Sequence, residues 1–347
     1  MKRIIFLLIL STLIAVYGFS QADLQTVATV NLIRTESITV RQMRTEIENV
    51  EKATGRPLNQ NEKRQVLDAM INERLVLQAA ERDRIIVTDN EINQHIQELR
   101  SMLAQNIGRQ PTDAEFAQAV RNEFGMELQA YRDQFRKQLI SQKYLMFKKE
   151  SLINTIKPPT DAEIAAEYTL LRGELVRPDT VRFSVIQVPY GPDAASRSKA
   201  KETADRIVRE IGTNPSKFDE VAARSVAPNS GYQAGDAGYL PRNQEARNAV
   251  GTDLMNTAFS LRQGQISSLI EGVQGFQIIK ITENYAQKNL ELDDILRLGT
   301  RLTVKDYIGQ RMLEYRQQTI LAQATEELIK ELRTSRSFQI FENNLNF

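Results

Sequence analysis

Two changes in the spacing of apolar residues divide this 347-residue chain into three parts. Over residues 39–172, apolar side chains recur every three or four positions, which is typical of amphipathic helices. At Pro178 the spacing changes to every second position, as in the run VRFSVIQV, and this alternation predicts a β-strand. After Gln287 the helical spacing returns. The sequence therefore predicts two helical segments separated by a block that contains strands.

Capping sequences indicate where several helices begin. The pattern T-D-x-E starts at Thr88, Thr112 and Thr160, and Thr39 with Gln42 has the same spacing. In such a capping box, the two side chains satisfy backbone N–H groups at the start of a helix. The sequences between the three T-D-x-E patterns do not match one another, so we interpret them as separate helix starts and not as an internal repeat.

The block over residues 178–285 combines strand and helix signals in an order that predicts a compact α+β domain. Its predicted elements are a first strand, helices over residues 196–211 and 218–225, a glycine-rich loop over residues 229–238, a helix near residues 253–261 and a last strand that reads GFQIIKI.

A short apolar run near the end of the chain predicts an isolated strand, which needs a partner. We expect the first hairpin, with its strand at residues 27–33, to pair with this FQIF run. Residues 21–172 and 288–347 are then predicted to form one discontinuous, mostly helical domain, with the α+β domain inserted at residues 178–285. The predicted fold class of the whole chain is α+β.

The first twenty residues have the pattern of a secretory signal peptide. Two basic residues precede an apolar run at residues 4–16, and Gly18 and Ser20 supply small residues for cleavage near Ser20. A second possible cleavage site follows Ala22. An uncleaved membrane anchor is the alternative, although the apolar run is shorter than the roughly 20 residues that span a bilayer.

Composition excludes several classes of site. The chain contains no Cys, which excludes disulfides, thiolate zinc sites and thiol nucleophiles. Its single histidine, His95, flanks the apolar stripe of a predicted helix, and one histidine does not make a multi-histidine metal site. Without the basic residues of the signal, 43 Lys and Arg face 44 Asp and Glu, with no block of one sign. We therefore expect no metal, no cofactor and no nucleic-acid partner.

The inserted block resembles the parvulin-type peptidyl-prolyl isomerase domain, because several short motifs occur in the same order. These motifs are Phe218-Asp219-Glu220-Val221-Ala222, Gly235-Asp236-Ala237-Gly238-Tyr239, Ala258-Phe259-Ser260-Leu261 followed by Gly264, Ile266 and Ser267, and Gly275-Phe276-Gln277-Ile278-Ile279. The split helical segments around the block, preceded by a signal peptide, are similar to the layout of the SurA family of periplasmic chaperones.

The polar centre of the parvulin family is substituted in this chain. Family members resemble one another in placing two strand histidines and an Asp or Cys beside the proline ring. The first histidine position holds Val185, the acid or thiol position holds Ala227, and the second histidine position holds Gln277. Residues 178–285 contain no histidine. The resemblance therefore implies a catalytic centre that is weak or inactive.

The apolar cup that the resemblance assigns to proline or peptide binding is retained. Val250, Leu254 and Phe259 occupy the matching positions. All three are also typical core residues, so a role in packing is the alternative interpretation.

The resemblance implies a periplasmic chaperone that binds unfolded secreted or outer-membrane polypeptides. One alternative is an active prolyl isomerase, a foldase of the cell envelope. Another is a structural component of an envelope complex, with the parvulin-like domain as a docking module. Methionines on the predicted helices offer adaptable contacts for a bound polypeptide, or else belong to the helix cores; they are Met43, Met70, Met102, Met126 and Met146.

Overall fold

The computed structural model of this protein describes residues 24–191, 193–228 and 230–345, which form an α+β fold. The predicted signal peptide, residues 1–20, lies outside this described part. Of the helices described, none is both long and apolar enough to cross a membrane.

Within the described residues, twelve α-helices and nine β-strands follow one another. The helices are α1 (Val40–Thr54), α2 (Gln60–Arg82), α3 (Asp89–Ile107), α4 (Asp113–Phe124), α5 (Leu128–Lys148), α6 (Glu150–Ile153), α7 (Asp161–Leu171), α8 (Ala194–Ile211), α9 (Pro215–Ala223), α10 (Gln244–Val250), α11 (Thr252–Ser260) and α12 (Val304–Leu332). The strands are β1 (Thr26–Asn31), β2 (Thr35–Thr39), β3 (Val176–Arg177), β4 (Thr180–Pro189), β5 (Gln233–Pro241), β6 (Ile270–Glu271), β7 (Gly275–Tyr285), β8 (Lys288–Asn289) and β9 (Phe338–Ile340).

The predicted capping boxes are confirmed at four helix starts. Thr39, Thr88, Thr112 and Thr160 each accept a hydrogen bond from the backbone N–H three residues on, and the Gln or Glu side chain at that position accepts one in return. Each box satisfies two N–H groups that have no partner within the helix. The first turns of α1, α3, α4 and α7 are therefore specified by local sequence.

The chain divides into two compact units. Unit 1 comprises Met1–Ile156 and Arg316–Phe347, of which residues 24–156 and 316–345 are described. Unit 2 comprises Lys157–Tyr315. The domain boundaries predicted from sequence, after residue 172 and before residue 288, fall within unit 2.

The main hydrophobic core of unit 1 contains residues from both its N-terminal and its C-terminal segments. Its sheet has the order β2-β1-β9, and β9 runs antiparallel to β1 with Phe338 opposite Val30. The predicted pairing of the last strand with the first hairpin is thus confirmed. Buried side chains from β1, β2, α1, α2, α5 and α12 fill the core, among them Val27, Ile38, Leu67, Leu75, Tyr144 and Leu328.

His95 packs against a second hydrophobic cluster in unit 1, formed by α3, α4 and α5. Its ring stacks on Phe135 with 3.7 Å between centroids, and Nε2 lies 2.8 Å from the hydroxyl of Tyr131. Tyr131 in turn packs on Phe124, with 4.5 Å between centroids. The predicted position of His95 beside the apolar stripe of its helix corresponds to this aromatic packing.

Unit 2 contains a four-stranded antiparallel sheet of order β5-β4-β7-β6. One face packs against α8 and α9, and the other packs against α11. The residues of the first face include Ile186, Val188, Phe276 and Ile278; those of the second include Val181, Ile279, Ile281, Leu254 and Met255. The alternation predicted from the sequence thus separates two apolar layers.

The prediction of a glycine-rich loop over residues 229–238 is wrong for residues 233–238, because they lie in strand β5. This strand pairs with β4, with a register shift between Phe183 and Ser184. Glycine and polar residues have low strand preference, so the local sequence does not reveal the strand. Strand β5 forms because it pairs with β4.

A small cluster in unit 2 surrounds the points where the chain enters and leaves the sheet domain. β3 pairs with β8, and Arg177 lies opposite Lys288. The cluster is formed by α7, the start of α12 and the segments beside β3 and β8; its buried residues are Ile164, Leu175, Leu290, Val304 and Ile308. The two ends of the 178–285 block are therefore cross-strand neighbours.

Candidate functional site

Val185 and Gln277, which the resemblance assigns to the histidine positions of parvulins, lie on the central strands of the unit 2 sheet. In the β4–β7 pair, Val185 is opposite Ile279 and Gln187 is opposite Gln277. Val185 and Gln277 are therefore diagonal neighbours, and alternate residues of a strand point to one face of the sheet. The structure brings these two predicted site residues together on the face that packs against α11.

A row of three glutamines crosses this face, and we call it the glutamine row. Gln187 on β4 pairs with Gln233 on β5 and with Gln277 on β7. Gln187 and Gln277 are half-buried, and Gln233 is exposed. None of these three side chains hydrogen bonds to another residue within the described ranges.

Gln187 and Gln233 are not among the site residues that the parvulin resemblance indicates. Gln187 follows Val185 by two positions, so the alternation of the strand places both on one face. That signal was available in the sequence. The alignment of the three glutamines required the strand register, which the sequence alone did not supply.

The amide oxygen of Gln277 is buried without a donor from any described residue. By contrast, Oε1 of Gln78 in unit 1 accepts hydrogen bonds from the backbone N–H groups of Leu32 and Ile33 at 3.0 and 3.2 Å. A buried carbonyl without a partner costs about 1–3 kcal/mol. Gln277 therefore does not have the structural role that Gln78 has.

Gly272 lies directly beside the side-chain amide of Gln277. A Cβ atom at Gly272 would lie 2.8 Å from Oε1 of Gln277 and 3.1 Å from the backbone oxygen of Gly275. The β6–β7 turn is closed by a hydrogen bond from the N–H of Gly272 to that same oxygen, at 2.9 Å. A side chain at position 272 would therefore displace the amide.

The three predicted cup residues pack in one cluster with Val185. Leu254 is buried, whereas Val250 and Phe259 are half-buried. Val250 and Leu254 also line a cleft of about 190 Å³, whose other wall is formed by residues 271–273. Phe259 is not among the residues that line this cleft, and the guanidinium of Arg242 lies 5.3 Å from its ring centroid.

Ala227 lies on a separate loop. It follows a short 3₁₀ turn at Arg224–Val226, its side chain is exposed, and it belongs to neither cluster of the sheet. The neighbouring Val226 is 89% exposed. The loop is held by Ser230, whose hydroxyl donates to the carbonyl oxygens of Ser225 and Tyr232 at 3.0 and 2.9 Å.

A network of ionised side chains lies at the other end of the same strands. Arg182 donates to Asp236 and Glu283, and these hydrogen bonds raise the pKa of Arg182. The bond from Arg182 lowers the pKa of Asp236, and a bond from Tyr285, followed by Arg182, lowers the pKa of Glu283. The bond to Glu283 raises the pKa of Tyr285 to about 12. At neutral pH this network is structural, since its acids stay ionised.

Two family models match the chain, and the second of them contains this site. The SurA-like N-terminal domain matches residues 1–145, and the PPIC-type PPIASE domain matches residues 184–283. The chain combines a SurA-like domain with a parvulin-type domain. The second match begins next to Val185 and includes the glutamine row and the cup residues.

Relatives of the SurA-like chain are chaperones and foldases by name. Chaperone SurA of Chromohalobacter salexigens is 26% identical over 229 residues, which are 65% of this chain and 48% of that protein. Chaperone SurA of Idiomarina loihiensis is 22% identical over 282 residues, 77% of this chain and 60% of that protein. Foldase protein PrsA of Staphylococcus aureus is 31% identical over 83 residues, 24% of each chain.

The SurA-like chain spans about half the length of the first of these relatives. Among solved structures, a SurA-like chaperone of Campylobacter jejuni is 14% identical, with 91% of this chain and 99% of that chain covered and a TM-score of 0.40.

Proposed function

We propose that this protein is a periplasmic chaperone that binds unfolded secreted or outer-membrane polypeptides, and that its parvulin-type domain has little or no isomerase activity. The names of the SurA relatives and the signal-peptide pattern at the N-terminus support the location and the kind of partner. The observation that carries the proposal is an open groove in unit 1.

This groove has a volume of about 1200 Å³ and lies between α1, α2 and α5. Phe124 and Met126, at the turn between α4 and α5, provide its large apolar contacts, and Phe124 is 40% exposed. The rest of the lining is mostly polar and carries charges of both signs, such as Lys52 and Asp133. The groove therefore offers an aromatic and a thioether side chain at one side and polar groups along the rest. Such a surface suits extended segments that alternate aromatic and polar residues, as strands of outer-membrane barrels do.

The parvulin-type domain has lost the groups that would accelerate rotation about a prolyl bond. That rotation has a barrier of about 18–20 kcal/mol because it breaks amide resonance. Val185 and Ala227 form no side-chain hydrogen bonds, and Gln277 does not titrate near neutral pH. We therefore infer isomerisation near the uncatalysed time of tens to hundreds of seconds.

An active isomerase is the second candidate, and the retained cup favours it. Val250, Leu254 and Phe259 pack around Val185, and the cleft beside them has room for a small apolar side chain. Desolvation and strain in such a cleft accelerate some reactions without an acid or a base.

The two candidates are separated by measuring prolyl isomerisation and suppression of aggregation on the same purified protein. A chaperone without catalysis suppresses aggregation of an unfolded outer-membrane protein and leaves the isomerisation rate at the uncatalysed value. Phe124→Ala should weaken the suppression, whereas Phe147→Ala, a matched change of an exposed Phe that does not line the groove, should not. Equal loss in both variants, or no suppression by the wild type, would contradict the proposal.

A further inference from the structure

We propose that the glutamine row, Gln233, Gln187 and Gln277, binds an extended polypeptide segment through its backbone N–H and C=O groups, and that it disfavours proline there. This inference rests on the proposed chaperone function and names the ligand chemistry of its parvulin-type domain. It assigns to the sheet face a specificity opposite to that of a prolyl isomerase.

The register of the sheet places the three amides in line. Direct cross-strand partners point to the same face, and neighbouring strands lie about 4.8 Å apart. The row therefore crosses three adjacent strands over roughly 10 Å, the length of about three residues of an extended chain. No described residue hydrogen bonds to the three side chains, so their amides have no partner within the described chain; Gln233 is exposed, and Gln187 and Gln277 are half-buried.

The chemistry of an amide side chain matches that of a peptide backbone. Each glutamine supplies one acceptor and two donors, so exchanging its oxygen and nitrogen leaves the match intact. In an extended chain, the N–H and C=O of one residue point the same way, and a single glutamine can pair with both. Proline has no N–H, so it loses one of these two bonds.

The buried oxygen of Gln277 makes this match energetically relevant. It lies against Gly272, one of the residues that line the adjacent cleft, and it has no donor within the described chain. A ligand N–H that pairs with this oxygen after a rotation of the side chain supplies the donor that the described chain lacks. The half-buried position of Gln277 also strengthens a hydrogen bond relative to one in open solvent.

The surroundings of the row favour an uncharged segment with a small apolar side chain. Val250 and Leu254 line the cleft beside Gln277, which has a volume of about 190 Å³. Of the carboxylates in the cleft lining, Glu271 forms an ion pair with Arg197, and Asp253 is exposed at the edge. The row itself carries no charge. Binding therefore depends on neutral hydrogen bonds and on burial of an apolar side chain.

The test uses the full chain and fluorescein-labelled peptides in an anisotropy titration. The reference probe is Ser-Ser-Leu-Ala-Leu-Ser-Ser; the others carry proline or N-methylalanine in place of the central alanine, or a backbone N-methyl group on either leucine. The wild type should bind the reference at least about 5-fold more tightly than one or more of the modified peptides, as expected for one lost hydrogen bond. Because this comparison uses the wild type alone, it does not depend on the folding of any variant.

Gln277→Met and Gln187→Met test the row itself, since methionine keeps the length of the side chain and removes the amide. Each change should reduce to less than about 2-fold the preference against the peptide modified at the residue that this glutamine binds, because the bond lost on methylation is then absent from both complexes. The matched control, Gln274→Met, changes an exposed glutamine three residues away on the same hairpin and should keep the full preference.

Two results would overturn the inference: equal binding of all the peptides by the wild type, or preferences that all survive in both Gln277→Met and Gln187→Met. Aggregation suppression, measured on the same samples, separates this failure from failure of the proposed function. If the protein suppresses aggregation but shows no peptide preference, the proposed role of the glutamine row is wrong and the chaperone proposal stands. Absence of both peptide binding and suppression means that both proposals are wrong.

Discussion

At the scale of single residues, Gln277 is central to both proposals for the parvulin-type sheet. Its amide binds hydrogen-bonding groups at any physiological pH, but it does not take or release a proton near neutral pH. The diagonal neighbour Val185 has no polar atom in its side chain, and Ala227 lies on an exposed loop. One substitution therefore does not rebuild a catalytic centre.

We predict that Gln277→His leaves prolyl isomerisation within about 2-fold of the wild type, because the new imidazole lacks a polar strand neighbour and an acid. The double variant Val185→His, Gln277→His, whose imidazoles are diagonal neighbours on the sheet, should be faster by at least about 10-fold, since positioned acid–base groups contribute 10²–10⁴. A protease-coupled prolyl peptide assay measures both. A fast wild type that keeps its rate in Gln277→Ala would show that these positions are not the centre.

Gly272 gives a second test at this scale. Gly272→Ala should lower the free energy of unfolding by about 1 kcal/mol, at the low end of overpacking, because the flexible end of Gln277 can move. In a Gln277→Ala background the same change should cost less, since the atom at 2.8 Å is gone. Gly235→Ala is the matched control, because a Cβ there meets no atom within 4 Å. Chemical denaturation measures all four variants; equal costs in both backgrounds would contradict the contact.

At the scale of secondary-structure elements, the capping boxes link stability to pH. Glu115 accepts hydrogen bonds from Arg109 and from the N–H and hydroxyl of Thr112, and these lower its pKa to about 2. In an unfolded chain a Glu pKa is about 4.3. A lowered folded-state pKa stabilises the fold above the unfolded value, and this stabilisation is lost as the pH falls toward 2.

Glu115→Gln should therefore lower the melting temperature at pH 7, and its difference from the wild type should shrink steadily between pH 4.5 and pH 2. Calorimetric scans at several pH values measure the difference. Glu48→Gln, which removes an exposed carboxylate of α1 that has no ion pair among the described residues, should show little difference at any pH. A Glu115→Gln difference that stays constant to pH 2 would mean that the lost stability is not electrostatic.

The same elements show what local sequence can predict. Helices α1, α3, α4 and α7 carry their start signals in four consecutive residues, and the apolar spacing of β4 and β7 is visible without a partner. Strand β5 has no such signal, because its glycines and polar residues form a strand only when they pair with β4. The glutamine row depends on that pairing as well. Its members are separated by 46 and 90 residues from Gln187 along the chain, and only the register brings them together.

At the scale of the whole molecule, the β3–β8 pair indicates how the sheet domain can be removed. Arg177 and Lys288 lie opposite each other, and Oδ1 of Asp179 accepts a hydrogen bond from the N–H of Gln287 at 2.9 Å. Deleting residues 178–285 and inserting two glycines leaves a four-residue connection with Ala286 and Gln287. Connections of two to five residues are common in β-hairpins.

We predict that this deletion variant folds cooperatively and is mostly helical, because the core of unit 1 and the cluster around Leu175 and Leu290 use no residue of the deleted block. Circular dichroism during thermal and urea unfolding measures helix content and cooperativity. An unfolded deletion variant, together with a stable isolated block 178–285, would show that the proposed discontinuous domain does not fold by itself.

The folded deletion variant also separates the two proposed binding surfaces. It should retain most of its ability to suppress the aggregation of an unfolded outer-membrane protein, because the groove with Phe124 and Met126 lies in unit 1. Its binding to aromatic-rich peptides should be micromolar and weakly salt-dependent, since the groove carries charges of both signs. It should lose the preference for peptides with a free backbone N–H, because the glutamine row is gone. Light scattering and anisotropy measure these effects.

If suppression instead disappears with the deletion while the isolated block retains it, the main client site lies beside Val250 and Leu254, and the helices support a domain that kept peptide binding after losing its catalytic groups.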